Sequence, residues 1–358
     1  MALVLVAVVA AVARPVTLRG VALVTVVEAL GFDGVPRPFA PDVDRTPTVV
    51  GGVEVDRYAP VPSDSARAGR RPAIVLLPGA TPTGRDDQRV VAIARSLARA
   101  DRVVLVPELA VYQETLVATD IDRIVDVAAA SAVDHEVVVL AGLSFGGSLG
   151  LIAADDPTVR ESIGLVATFG AYADLAGVIQ AVTTGVSLVD GERIAWSPDP
   201  RAEQIVRDQL LGLVPDEDRT RIEAAVAAGL GSPVGGVATS LPDDLQAVVE
   251  LVTADDPSQV LAAVDRAPAA VRERITAVSP ARAAPDLDVD IVAMHTVDDP
   301  VIPYGELARL TRTYPDAEPL TLTTFDHVGL GDGGQSWWVT ARDLWRTARF
   351  VHAILAAR

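Results

Sequence analysis

From residue 73 onward, short apolar runs alternate with amphipathic stretches. Residues 73–77 (Ala-Ile-Val-Leu-Leu), 102–107, 136–142 and 162–169 are rich in Val, Leu and Ile, and runs of that length bounded by turn residues predict buried strands. Between them, 86–100 and 119–132 carry apolar residues at helical spacing, and 146–154 is a helix-compatible run of small residues. This alternation predicts a mostly parallel sheet covered by helices on both faces. Upstream, 49–58 alternates like an antiparallel strand, after a linker punctuated by Pro36, Pro38, Pro41 and Pro47.

The rhythm breaks over residues 175–277, where the patterns are mainly helical, with Pro, Gly and Asp punctuation and no convincing strand. Strand character returns at 289–295 and 319–325, with a helix at 303–313 between them and a closing helix at 337–357. The expected organisation is therefore an apolar N-terminal segment and Pro-rich linker (1–48), an α/β core (49–174 and 278–358) and a helical insertion (175–277).

The N-terminus has its own pattern. Residues 2–13 are continuously apolar, Arg14-Pro15 interrupts, and 16–31 are apolar again apart from polar residues such as Arg19 and Glu28. The first run is shorter than the roughly 20 residues a membrane-spanning helix needs, and as an export signal it lacks a basic start. Two readings stand side by side: membrane association or export through residues 2–31, and a helix packed on a cytoplasmic domain.

Composition removes whole chemistries. The chain has no Cys, Lys or Asn, so all 30 basic residues are Arg. Thiol nucleophiles, Cys-ligated metals, Schiff-base lysines and the phosphate loop with its Lys are excluded. A net charge of −18 opposes nucleic-acid binding, which requires a basic face. No His or carboxylate spacing suggests a metal site, and no cofactor is expected. Gly329 to Gly334 matches G-x-G-x-x-G, but too little chain follows for a dinucleotide-binding unit, so it reads as a loop.

What remains is hydroxyl chemistry. Gly142-Leu143-Ser144-Phe145-Gly146 falls between a predicted strand and a predicted helix, the context in which a serine becomes a nucleophile. A serine hydroxyl needs a base, and that base needs an acid to orient it. Of the four histidines, His135 lies in an Asp-His-Glu surface turn, His352 lies on the terminal helix, and His295 precedes the acid candidates too closely to partner them. His327 follows the last strand where a loop begins, and is the candidate base. The segment 295–303, His-Thr-Val-Asp-Asp-Pro-Val-Ile-Pro, leaves a strand and enters a helix. Asp299 is the candidate acid and Asp298 its immediate rival. Asp174 is an outside possibility, and Asp326 would generally point away from its neighbour His327.

The order nucleophile, acid, histidine resembles the α/β-hydrolases, with Gly142 to Gly146 as the nucleophile elbow. Segment 295–303 resembles the family's H-G-x-x-D-x-x-V-P acid loop, with Thr296 for Gly and Ile302 for Val, an alignment that falls on Asp299. The resemblance covers about 49–358. It implies an α/β-hydrolase fold, an oxyanion hole formed by the amides of Phe145 and of Ala80 (Thr81 the lesser choice, Pro78 standing where many esterases have His), and a cap formed by the insertion. Trp196 and the Trp337-Trp338 pair could line an apolar pocket, with buried packing the preferred reading of each. The expected activity is hydrolysis of small to medium carboxylic esters. Peptidase, thioesterase or lipase activity on the same triad is the alternative, and a non-catalytic membrane-associated binding protein is the alternative of another class.

Overall fold

The computed structural model describes residues 41–61, 72–81, 83–113, 117–189, 191–229, 241–323 and 337–358, with the backbone alone at Trp337. The apolar segment 2–31 and most of the proline-rich linker lie outside these residues.

The chain enters as a hairpin of β1 (Asp42–Val50) and β2 (Val53–Val61). The single antiparallel strand expected over 49–58 is β2 from Val53 onward, but its first residues belong to the end of β1 and to the hairpin turn: Gly51 and Gly52 have φ of 58° and 81°, the left-handed pair that joins two antiparallel strands tightly. Strand β1 also takes in Pro47, which the linker reading had claimed. A proline fits there because β1 is the outer edge of the sheet, where a missing N–H breaks no ladder.

Next come β3 (Ala73–Leu77), helix α1 (Gln88–Arg99) and β4 (Val103–Pro107). The helix expected from Asp86 starts instead at Gln88, because the Asp87 side chain accepts from the Arg89 amide and caps it. Helix α2 (Thr119–Asp134), β5 (Val138–Leu143), α3 (Phe145–Ala154) and β6 (Ile163–Phe169) continue the alternation.

The insertion opens with α4 (Leu175–Thr184). It is not wholly helical, because β7 (Val186–Val189) and β8 (Glu192–Ala195) form a separate antiparallel hairpin. Helices α5 (Pro200–Gly212), α6 (Asp216–Ala227), α7 (Asp243–Thr253), α8 (Pro257–Arg266) and α9 (Ala269–Ala277) follow. A short α10 (Pro280–Ala283) returns the chain to β9 (Ile291–Thr296), α11 (Gly305–Thr313), β10 (Glu318–Leu322) and α12 (Trp337–Ala356).

The main sheet has eight strands in the order β1-β2-β4-β3-β5-β6-β9-β10. Only the β1/β2 and β2/β4 pairings are antiparallel. Strand side chains alternate between two apolar layers: Val103, Leu105, Val138 and Leu140 face one, Val104, Val106, Val139 and Ala141 the other. The first layer packs under α2, α3 and the insertion, the second under α1 and α12. Full burial of one such Val or Leu side chain contributes about 1.5–3 kcal/mol. Among the described residues, no helix is long and apolar enough to cross a membrane.

The insertion leaves and rejoins the core at one seam. Leu175 N–H donates to Ser279 Oγ (2.9 Å) and Ala281 N–H to the Ala173 carbonyl (2.9 Å). Asp174 Oδ1 caps α4 by accepting from Ala176 N–H (3.0 Å) and also accepts from Arg282 Nε (3.0 Å). Buried Glu306, from α11, accepts the amides of Ala173 and Asp174 at 3.0 and 2.9 Å. Burial pushes the Glu306 carboxyl up from its ordinary value, partly opposed by Arg309.

Candidate active site

Strand β5 ends in a sharp reversal. Ser144 has φ 51° and ψ −129°, a conformation that a residue with a Cβ adopts only when its surroundings impose it. Here they do. The Ser144 amide donates to the Phe169 carbonyl at 2.7 Å, while its own carbonyl accepts from Gly147 N–H at 3.0 Å and starts α3. The turn is tight enough that a Cβ on Gly146 would stand 2.3 Å from the Leu77 carbonyl oxygen, and one on Gly142 would stand 2.3 Å from Gly147 Cα. Only glycine fits at either place.

The sequence and the sheet together settle the architecture: a mostly parallel sheet of eight strands turns, after β5, through a strained serine into a buried helix. The fold is an α/β-hydrolase fold. No family model and no curated protein matches the chain. Among solved structures, the acylaminoacyl peptidase of Pyrococcus horikoshii aligns with a TM-score of 0.46 and 10% identity, over 87% of this chain and 40% of the peptidase. A serine hydrolase of Cycloclasticus zankles aligns at 0.44 and 14% over 88% of this chain and 98% of its own. Est1E of Butyrivibrio proteoclasticus aligns at 0.44 and 13% over 87% and 99%. The chain thus spans well under half of the peptidase and nearly all of the other two.

In this hydrolase fold the candidate loops leave one edge of the sheet. Leu77 pairs in register with Gly142, Leu143 with Phe169, Phe169 with Met294, and Thr296 with Leu322. The carboxyl ends of β3, β5, β6, β9 and β10 are therefore level, and open α/β sheets bind ligands at that edge. Segment 78–81 leaves β3, Ser144 leaves β5, and Asp299 leaves β9. His327 and Asp326 lie outside the described residues, but the root of their segment is fixed: the Thr323 amide donates to Oδ2 of fully buried Asp343 at 2.6 Å.

Burial separates the two rival acids. Asp298 is exposed, whereas Asp299 has no exposed surface. Asp299 Oδ1 accepts from Val301 N–H (2.8 Å) and Ile302 N–H (3.0 Å), which fixes the carboxylate's orientation. Asp174 is committed to the seam of the insertion. His295 is buried in β9, its Nδ1 3.0 Å from the Thr296 carbonyl oxygen.

The segment after β3 comes close to the serine. A Cβ on Gly79 would lie 2.8 Å from Ser144 Cβ and 3.3 Å from its Oγ. Thr81 N–H is used on the Tyr112 carbonyl (3.2 Å), and the Thr81 hydroxyl donates to Asp87 Oδ2 (2.6 Å). These bonds pin the segment to the turn after β4 and to the cap of α1, and the first removes the Thr81 amide as an oxyanion donor. The Arg89 guanidinium beside Asp87 holds that carboxyl well below the usual carboxylate range, with the Thr81 hydroxyl adding to the effect.

Ser144 opens into a cavity of about 310 Å³. Ala80, Val90, Ile93 and Phe145 form apolar wall on the core side, and Ala202 and Ile205 of α5 form it on the insertion side. Asp87 with Arg89 and Asp199 with Arg201, at the first turns of α1 and α5, are the charged residues of the lining. Among the described residues, no group of three or more His, Cys, Asp or Glu could hold a metal ion.

Of the tryptophans, Trp196 is half-buried against the first apolar layer. Trp338 departs from the buried packing expected of it, being 67% exposed on α12. Sequence reasoning missed what Asp343 and Trp196 hold. Their partners lie 20 and 103 residues away in the chain, and no local pattern signals such pairings.

Proposed function

We propose that the chain is a serine hydrolase of carboxylic esters, acting without a cofactor. The observation that carries this reading is Ser144 itself: a strained serine on the strand-to-helix turn, facing an apolar cavity at the sheet edge where the acid loop also emerges. Its Oγ attacks the ester carbonyl while His327 takes the hydroxyl proton. The new C–O bond gives a tetrahedral oxyanion, which the amides of Phe145 and Ala80 stabilise. Collapse breaks the bond to the alcohol, which leaves with the proton held by His327. Water then attacks the acyl-enzyme by the same route, releasing the acid and restoring Ser144. Asp299 accepts the other ring N–H of His327, fixing its tautomer and stabilising the imidazolium.

The substrate class follows from the cavity. About 310 Å³ with apolar walls from both core and insertion suits a small or medium acyl chain, and the few aromatic residues offer no platform for a polymer. Association with membrane through residues 2–31 belongs to the same proposal as a separable part.

A series of p-nitrophenyl esters tests the reading. Cleavage peaks at short to medium acyl chains, and Ser144→Ala abolishes it. Activity falls on the acidic side as His327 takes up a proton. A flat profile between about pH 5 and 8 contradicts His327 as base.

A further inference from the structure

The insertion does more than roof the cavity: it holds the acid loop. Gly185, at φ 65°, ends α4 and starts the β7–β8 hairpin, which is closed at its base where Trp196 N–H donates to the Gly185 carbonyl at 2.8 Å. From that fixed position the Trp196 indole Nε1–H donates to the backbone carbonyl of Asp299 at 2.7 Å. Three residues on, Asp199 N–H donates to the Pro300 carbonyl at 2.8 Å. The adjacent peptide units of the acid loop are thus both gripped by one segment of the insertion. The same loop turns its Val301 and Ile302 amides onto the Asp299 carboxylate. Asp199 then starts α5, whose Ala202 and Ile205 form cavity wall.

We infer that Trp196 is a positioning residue for the proposed triad: it holds the backbone of Asp299 and with it the orientation of the carboxylate that the proposed mechanism uses. This rests on the serine hydrolase reading. A catalytic group displaced by about 1 Å can cost up to about a hundredfold in rate, and one lost tether among several is expected to cost less. Substrate binding depends on the cavity walls, which Trp196 does not line.

The test is a double-mutant cycle on the full chain, with rates expressed per active site titrated by a fluorophosphonate. Trp196→Phe keeps an aromatic ring and removes the N–H donor. Its kcat is expected to fall about tenfold with KM within about twofold of wild type. Trp196→His, which retains a ring N–H, recovers part of that loss. In the Asp299→Asn background Trp196→Phe is expected to cost less than about twofold, because the group it positions no longer acts. Equal losses in both backgrounds, or a change in KM alone, would overturn the inference. If Trp196→Phe does not fold, Trp196→His carries the cycle: a loss confined to the wild-type background supports the inference, and an equal loss in both overturns it. Failure of the underlying reading is seen separately, in wild-type protein that neither cleaves esters nor takes the probe, and it removes this inference as well.

Discussion

The α/β core and the insertion are built on different principles. In the core, the central strands are held by backbone ladders and by apolar side chains on both faces, so Leu140 or Val139 has no exposed surface and no room to shift. In the insertion, α4 is buried all round from Leu175 to Val182, whereas α5, α6, α8 and α9 pack through one face and keep polar residues on the other. They attach to the core through the shared apolar layer and through a few polar contacts: the Asp174, Ser279, Arg282 and Glu306 seam at one end, and Trp196 and Asp199 on the acid loop at the other. Damage to the core should therefore remove fold and activity together. Damage to the insertion should alter selectivity, rate or pH response while the elbow survives.

The largest effect belongs to Gly146→Val. The new side chain would begin 2.3 Å from the Leu77 carbonyl oxygen, which is backbone and cannot move aside. No soluble, probe-reactive protein is expected on expression, and a folded, active variant would break the contrast between the two regions. Next comes Leu140→Ala, a cavity in the centre of the sheet, expected to cost about 3 kcal/mol in urea unfolding. On the insertion side, Ile205→Trp fills cavity wall. It should reduce kcat/KM for the longer esters about tenfold relative to acetate, with the unfolding midpoint nearly unchanged.

The smallest effect sharpens the account of the seam. Because burial raises the Glu306 carboxyl in the folded state, folding takes up a proton there. Its contribution is fully present below the unfolded value of about 4.3 and is lost as pH rises through the raised folded value. Glu306→Gln cannot titrate, so the stability difference between wild type and variant should move in the variant's favour over that interval. A difference independent of pH contradicts a raised Glu306.

Much of the core was legible because fully buried strands are written as uninterrupted Val, Leu and Ile runs. The first hairpin was not, since alternation runs on through Gly51-Gly52 and Pro47 reads as linker. Hairpin β7–β8 left no pattern because Glu192–Ala195 is exposed throughout, so nothing in it alternates with burial. For the candidate site, the chain order of Ser144, Asp299 and His327 was available in the sequence, with His327 outside the described residues, but the choice between Asp298 and Asp299 rested on a motif alignment. Burial, a property of the folded chain, separates the two aspartates physically.

The central claim is that Ser144 is the nucleophile. Intact protein treated with a fluorophosphonate, digested and mapped by mass spectrometry should carry one adduct, on Ser144, and Ser144→Ala should carry none. An adduct on another residue, or undiminished labelling of Ser144→Ala, would contradict it.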